Sequence, residues 1–300
     1  MANLTWLYAK AALTGFTRRG SELPGTSPAA EVVVDPGRLA RYGRVCGFGV
    51  RDELPITYPH VLGFPLQVAL MTGPGFPFPL PGLVHVANRI TRTRPLLVGE
   101  PLSLRVEAVD LRPHERGRQF DVVTTAAVDG EEVWVDVSTY LRRDGGVGGG
   151  SGGERGDGHG DGGRGDDERG GGRGDGGQAG GGRAGGERAG APEPTAVWRV
   201  PADTGRRYAE VSGDRNPIHL HALTARAFGF PRAIAHGMWS KARCVAAFEG
   251  RLPDACEVDV RFKAPLALPG RVGFSTTPTG SGWRFALWSR KPHLEGLISG

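Results

Sequence analysis

The sequence predicts an α+β protein: two copies of one fold, each an antiparallel sheet curled around a buried apolar helix, joined by a glycine-rich tether. Three observations carry this. Of the 50 glycines, 25 fall between Asp144 and Gly190. Two short landmarks recur in the same order on either side of that block. In both flanks, an apolar helical stretch precedes several strand-like segments.

Residues 144–192 read as a flexible, disordered linker, with no Phe, Tyr or Trp, one Val, and interspersed charges that keep the chain solvated. There is no Gly-X-Y period, which excludes collagen. A coil of this length spans roughly 40 Å root-mean-square, at about 5–6 Å × √n. Three Arg-Gly-Asp triplets, at Arg155, Arg164 and Arg173, follow from the composition alone. The predicted organisation is an N-terminal segment 1–29, a first copy 30–143, the linker 144–192 and a second copy 193–300.

The block holds 6 Arg against 9 Asp and Glu, so the flanks are more basic than the net +5 of the whole chain. Lysine occurs only at Lys10, Lys241, Lys263 and Lys291, and no dense Lys/Arg cluster is present. That pattern excludes specific nucleic-acid binding and suits a phosphate-bearing ligand or an acidic carrier. No stretch is long and apolar enough to span a bilayer. Leu4–Phe16 is short, interrupted by Lys10 and followed by Arg18 and Arg19, the reverse of a signal peptide, and predicts a helix packed on the first copy. Cys46, Cys244 and Cys256 are scattered, as expected of a protein in a reducing cytoplasm.

The repeat rests on Tyr42-Gly43-Arg44-Val45-Cys46-Gly47-Phe48 against Tyr208-Ala209-Glu210-Val211-Ser212-Gly213-Asp214, then Pro95–Gly99 against Pro265–Gly270. Each copy begins with a short helix at its Tyr landmark. In the first copy an apolar helix follows at Leu66–Met71, then strands at Leu83–Thr91, Leu102–Val109, Arg118–Ala127 and Glu132–Leu141. Asp129-Gly130 predicts the hairpin turn between the last two. In the second copy the apolar helix spans Gly237–Glu249, with Gly250 as C-cap. Strands follow at Glu257–Lys263, Arg271–Thr277, Trp283–Ser289 and near His293–Ser299.

The chemistry concentrates between Tyr208 and Met238. Asp214 and His219 stand five apart across a Gly/Asn/Pro-rich, non-helical stretch that Pro217 stiffens. A carboxylate and an imidazole on one rigid loop can hold a water between them. That is the minimum apparatus for adding water to an activated double bond or removing it. The Ala235-His236-Gly237 start of the buried helix supplies unpaired amide N–H groups at the positive end of a helix dipole. Gly237 lets a substrate carbonyl approach closely there, making an oxyanion site.

The stretch from Tyr208 to His219 resembles the signature of the MaoC-like (R)-specific enoyl-CoA hydratases and dehydratases, and Gly229–Met238 matches that family's second element. Leu54–Leu62, Phe76–Arg94 and Leu111–Gln119 resemble the N-terminal half of double-hot-dog 3-hydroxyacyl-thioester dehydratases. The resemblance implies a double hot-dog fold and reversible hydration of trans-2-enoyl thioesters carried on CoA or acyl-carrier protein. It implies no cofactor and no metal. It assigns general acid/base chemistry to Asp214 and His219, the oxyanion N–H to Gly237, and loop support to Asn216. Met238 falls within the second element and is taken, with Asn216, as substrate-binding. The first copy has Phe48 where Asp214 stands and no Asn-Pro-x-His after it, so it is expected to be catalytically silent and to shape an acyl channel. Arg261 and Lys263 are candidates for the carrier's phosphates, and the duplication implies a pseudo-dimeric monomer or a homodimer.

Asp214, His219, His221 and His236 could instead be read as a two-His-one-carboxylate metal site, but they lack the regular spacing of strong metal motifs. His236 is expected to pin the start of its helix. The alternatives to a hydro-lyase are a non-catalytic acyl-thioester binding protein and a hot-dog thioesterase. Neither requires the intact Asp-x-Asn-Pro-x-His loop.

Overall fold

In the computed structural model, which describes residues 21–143 and 193–300, two chains of local decisions run in parallel. Strand β1 (Ala29–Val32) leads into helix α1 (Pro36–Cys46), and β6 (Ala196–Val200) leads into α3 (Thr204–Ser212). The Asp35 side chain caps α1 by accepting from the Arg38 N–H at 2.7 Å, with Pro36 opening the helix. Both helices stop at a left-handed glycine, Gly47 at φ 89° and Gly213 at φ 82°, each bonding back to the carbonyl four residues earlier. These are the two Tyr landmarks, so the repeat extends to their backbone geometry. Neither β1 nor β6 was predicted; both are short terminal strands of the sheet.

Next in the first half comes α2 (Tyr58–Thr72). It is far longer than the predicted Leu66–Met71. Gly63 and Pro65 interrupt the helical pattern in sequence, yet the helix continues through both because it is buried along most of its length. It is tied to the sheet by Gln67 Nε2 donating to Thr124 Oγ1 at 2.9 Å. Strands β2 (Leu83–Arg92), β3 (Leu102–His114), β4 (Gly117–Val128) and β5 (Glu131–Arg143) complete that half. Asp129 (φ 52°) and Gly130 (φ 84°) form the predicted two-residue turn.

In the second half, α4 (Pro217–Leu220) and α5 (Ala222–Ala227) precede α6 (Gly237–Ala246). Regular α-helix ends at Ala246 and not at Glu249. The next turn tightens to bonds spanning three residues, such as Phe248 N–H to Val245 O, before Gly250 turns left-handed at φ 73°. Strands β7 (Cys256–Phe262), β8 (Gly270–Thr279), β9 (Gly282–Trp288) and β10 (Pro292–Ser299) follow.

Among the described residues, the ten strands form one sheet in the order β1-β3-β4-β5-β2-β7-β10-β9-β8-β6. Read outward from the centre, the second half repeats the first, strand for strand. The two expected sheets therefore fuse edge to edge through β2 and β7, which pair antiparallel about Arg89 and Asp259. Each half thereby covers the edge that the other would expose. The largest apolar cluster draws on both halves, from Leu39 and Tyr42 to Leu294 and Ile298. A second cluster, with Leu70, Met71, Phe76, Phe78 and Phe120, belongs to the first half. No helix among the described residues is long and apolar enough to cross a membrane. The predicted Leu4–Phe16 helix and the linker lie outside the described residues.

Candidate active site

The site is built where α3, the loop after it and the start of α6 meet. Beyond left-handed Gly213, Asp214 turns back: its N–H donates to Ser212 Oγ at 3.1 Å, and its Oδ1 accepts from the Asn216 N–H at 3.1 Å. Asn216 then caps α4, its Oδ1 accepting from the Ile218 N–H. The stretch expected to be wholly non-helical thus contains one helical turn, and that turn carries His219. The His219 ring is anchored through Nδ1 to the Ile234 carbonyl at 2.8 Å. That bond fixes Nδ1 as the donor and leaves Nε2 as the basic nitrogen.

His236 is the N-cap residue of α6. Its Nε2 bonds the main-chain carbonyl of Asp214 at 3.0 Å and lies 3.7 Å from the Asp214 carboxylate. Its ring stacks on His219 with centroids 3.7 Å apart, and Tyr208 backs it at 4.9 Å. His236 therefore pins the helix start to the Asp214 loop, the role expected of it. Ligating atoms of Asp214, His219 and His236 all lie within 4.8 Å of one another. His221, the other histidine of the possible metal set, is exposed and outside this group. Gly237 follows directly as the first residue of α6, where an amide has no carbonyl of its own helix to bond. The Phe262 ring lies 3.1 Å from where a Cβ on Gly237 would stand.

The other predicted site residues are placed differently. Met238 is buried in the main core cluster. Arg261 and Lys263 are exposed on either side of half-buried Phe262; alternation puts Arg261 on the opposite face of β7 from the ring that meets Gly237, and Lys263 lies just past the strand's end. Lys263 is paired there with Glu295 at 2.9 Å. Phe262 itself was not singled out, although the two-residue period of the strand marks it as the inward neighbour of those two cations.

Burial sets the electrostatics. It lowers the His219 pKa against the pull of the Asp214 carboxylate. It lowers that of His236 to about 3, with His219 adding to the effect. His85 on β2 is drawn down to about 3 by burial and then by His60, and His293 is lowered by burial. Unfolding returns these imidazoles to about 6.5. Below that pH the unfolded chain binds protons that the folded chain refuses, so stability falls as pH falls, by up to about 1.4 kcal/mol per pH unit for each such imidazole. Denaturant titrations are expected to give a plateau above about pH 6.5 and a steep loss toward pH 5. A stability that holds or rises over that acid range would show that these rings are not kept neutral.

The profile of the MaoC-like domain matches residues 187–286. The 3-hydroxyacyl-thioester dehydratase X of Mycobacterium tuberculosis is 34% identical over 286 residues, covering 94% of this chain and 92% of that protein. The crystal structure of HtdX from the same organism superposes with a TM-score of 0.73 at 33% identity, covering 92% of this chain and all of that one. A MaoC-like dehydratase from Phytophthora capsici shares the fold, with a TM-score of 0.65 at 17% identity over 92% of this chain and 95% of that one.

Proposed function

The chain belongs to the MaoC-like dehydratases of double hot-dog build, and on that premise we propose that Asp214, His219 and Gly237 carry out reversible hydration of a trans-2-enoyl thioester to the (R)-3-hydroxyacyl thioester. The observation that carries this is the packing of Asp214 and His219 against the opening residues of α6, through His236. In hydration, Asp214 and His219 hold a water, and neutral His219 takes its proton as the oxygen attacks C3. Electron density moves from the C2–C3 double bond to the thioester oxygen, and the Gly237 N–H stabilises the enolate. The enolate then collapses as C2 takes that proton back from the Asp214–His219 pair, which returns the site to its starting state. Dehydration retraces these steps, with the proton returned to the departing hydroxyl.

Asn216 supports the loop by capping α4. In this reading Met238 packs beneath the oxyanion site, and Arg261 and Lys263 meet the phosphates of CoA or of an acyl-carrier prosthetic group from the rim. The first half lacks the loop: Phe48 follows Gly47 where Asp214 follows Gly213, and Tyr58 opens α2 where Gly237 opens α6. It serves as the channel wall. The two halves already complete one sheet through β2 and β7, which supports a monomer. Cys46, Cys244 and Cys256, all buried free thiols, support a reducing cytoplasm.

Crotonyl-CoA separates the readings. Loss of the enoyl absorbance with no free thiol is expected. Release of thiol would make the protein a thioesterase, and binding without either change would make it a carrier module.

A further inference from the structure

The helix that opens with Gly237 carries one charge in its most buried stretch. Lys241 lies one turn beyond Gly237 on the same side of α6 and is 0% exposed. Its Nζ donates to the Asn88 carbonyl at 3.1 Å, to Asn88 Oδ1 at 2.5 Å and to the Val258 carbonyl at 2.8 Å. Burial lowers the Lys241 pKa to about 7, against the pull of Asp136, and three oxygens stand where the three N–H bonds of the ammonium can meet them. Asn88 and Val258 each precede one member of the Arg89–Asp259 pair about which β2 and β7 are related. Lys241 therefore ties α6 to matching points on the central strands of both halves.

The tie continues into the first half. Asn88 Nδ2 donates to Asp136 Oδ1 at 2.5 Å and to Ser138 Oγ at 3.0 Å, and Asp136 Oδ2 pairs with His60 Nδ1 at 2.5 Å. Every member is buried. Such a network is a poor device for stability, because apolar side chains of similar volume commonly serve as well or better. It does supply direction. Apolar packing around α6 tolerates small slides and rotations, whereas a three-point anchor sets the helix position along and about its axis. An oxyanion donor must be held to about 0.5 Å to act.

We propose that Lys241 is a positioning residue for the reaction, holding the Gly237 N–H in register with Asp214 and His219 through Asn88, Asp136 and His60 of the half that lacks the catalytic loop. The proposal rests on Gly237 being the oxyanion donor.

The test is K241M combined with D136N, which removes both charges and leaves no lone ion buried. Thermal melting and steady-state hydration of crotonyl-CoA are measured on this variant and on the unaltered protein. The expected result is a folded protein with kcat reduced at least tenfold and KM changed by less than twofold. The donor is displaced while the substrate pocket remains. A folded variant with unaltered kcat, or one whose rate loss is matched by a rise in KM, overturns the proposal. Asn88→Ser shortens the bridge while keeping every charge, and carries the same test with the same two outcomes if the double variant does not fold. Failure of the catalytic reading is distinguishable, because it appears as an unaltered protein without hydratase activity.

Discussion

Asp214→Asn and His219→Gln are each expected to reduce hydration of a trans-2-enoyl-CoA by about a thousandfold, within the range that positioned acid/base groups contribute. Both substitutions keep shape and hydrogen bonding but remove proton transfer. The Asn side chain can still accept from the Asn216 N–H, and the Gln can still reach the Ile234 carbonyl, so the loop geometry survives. Melting temperatures are expected to stay close to that of the unaltered protein. Because burial holds the His219 pKa below its ordinary value, the ring is already neutral at pH 7 and ready to accept a proton. The acid limb of the rate profile should therefore lie below the pH of about 6.5 at which an ordinary imidazole titrates. Rates within tenfold of the unaltered protein in either variant, with the fold intact by circular dichroism, would remove that residue from the chemistry.

The site was legible where its groups are neighbours in sequence. Tyr208 to His219 is one stretch whose turn chemistry, with Gly213, Asn216 and Pro217 in place, specifies the loop locally. The same holds for Asp129-Gly130. What escaped reading is what depends on partners far along the chain. Helix α2 keeps its course through Gly63 and Pro65 because neighbours on the sheet hold it, which no local pattern records. Lys241 meets Asn88, 153 residues away, and Asn88 meets Asp136, 48 residues on. The one local clue was a lone lysine in a helix otherwise apolar around most of its circumference.

Gly205→Ala is expected to have the second large effect, by a different route. Gly205 lies in the first turn of α3, where the chain of α4 crosses it. A Cβ there would stand 2.0 Å from the His219 carbonyl oxygen and 3.0 Å from its carbon. No rotamer change relieves an overlap with backbone, so the turn bearing His219 must move. Alanine brings a gain of about 1 kcal/mol in helix propensity, but overpacking of this kind costs about 1–3 kcal/mol. A net destabilisation follows. The larger consequence is for turnover: a shift of about 1 Å in a catalytic group can cost about a hundredfold, and kcat should fall by that order at temperatures where the protein remains folded. Gly237→Ala provides a contrast in stability. Its Cβ would meet the Phe262 ring at 3.1 Å, and a side chain can swing aside where a carbonyl cannot, so it should destabilise less. Turnover still falls, because the methyl crowds the oxyanion site. If Gly205→Ala turns over at the unaltered rate, the crossing of α3 and α4 does not position His219.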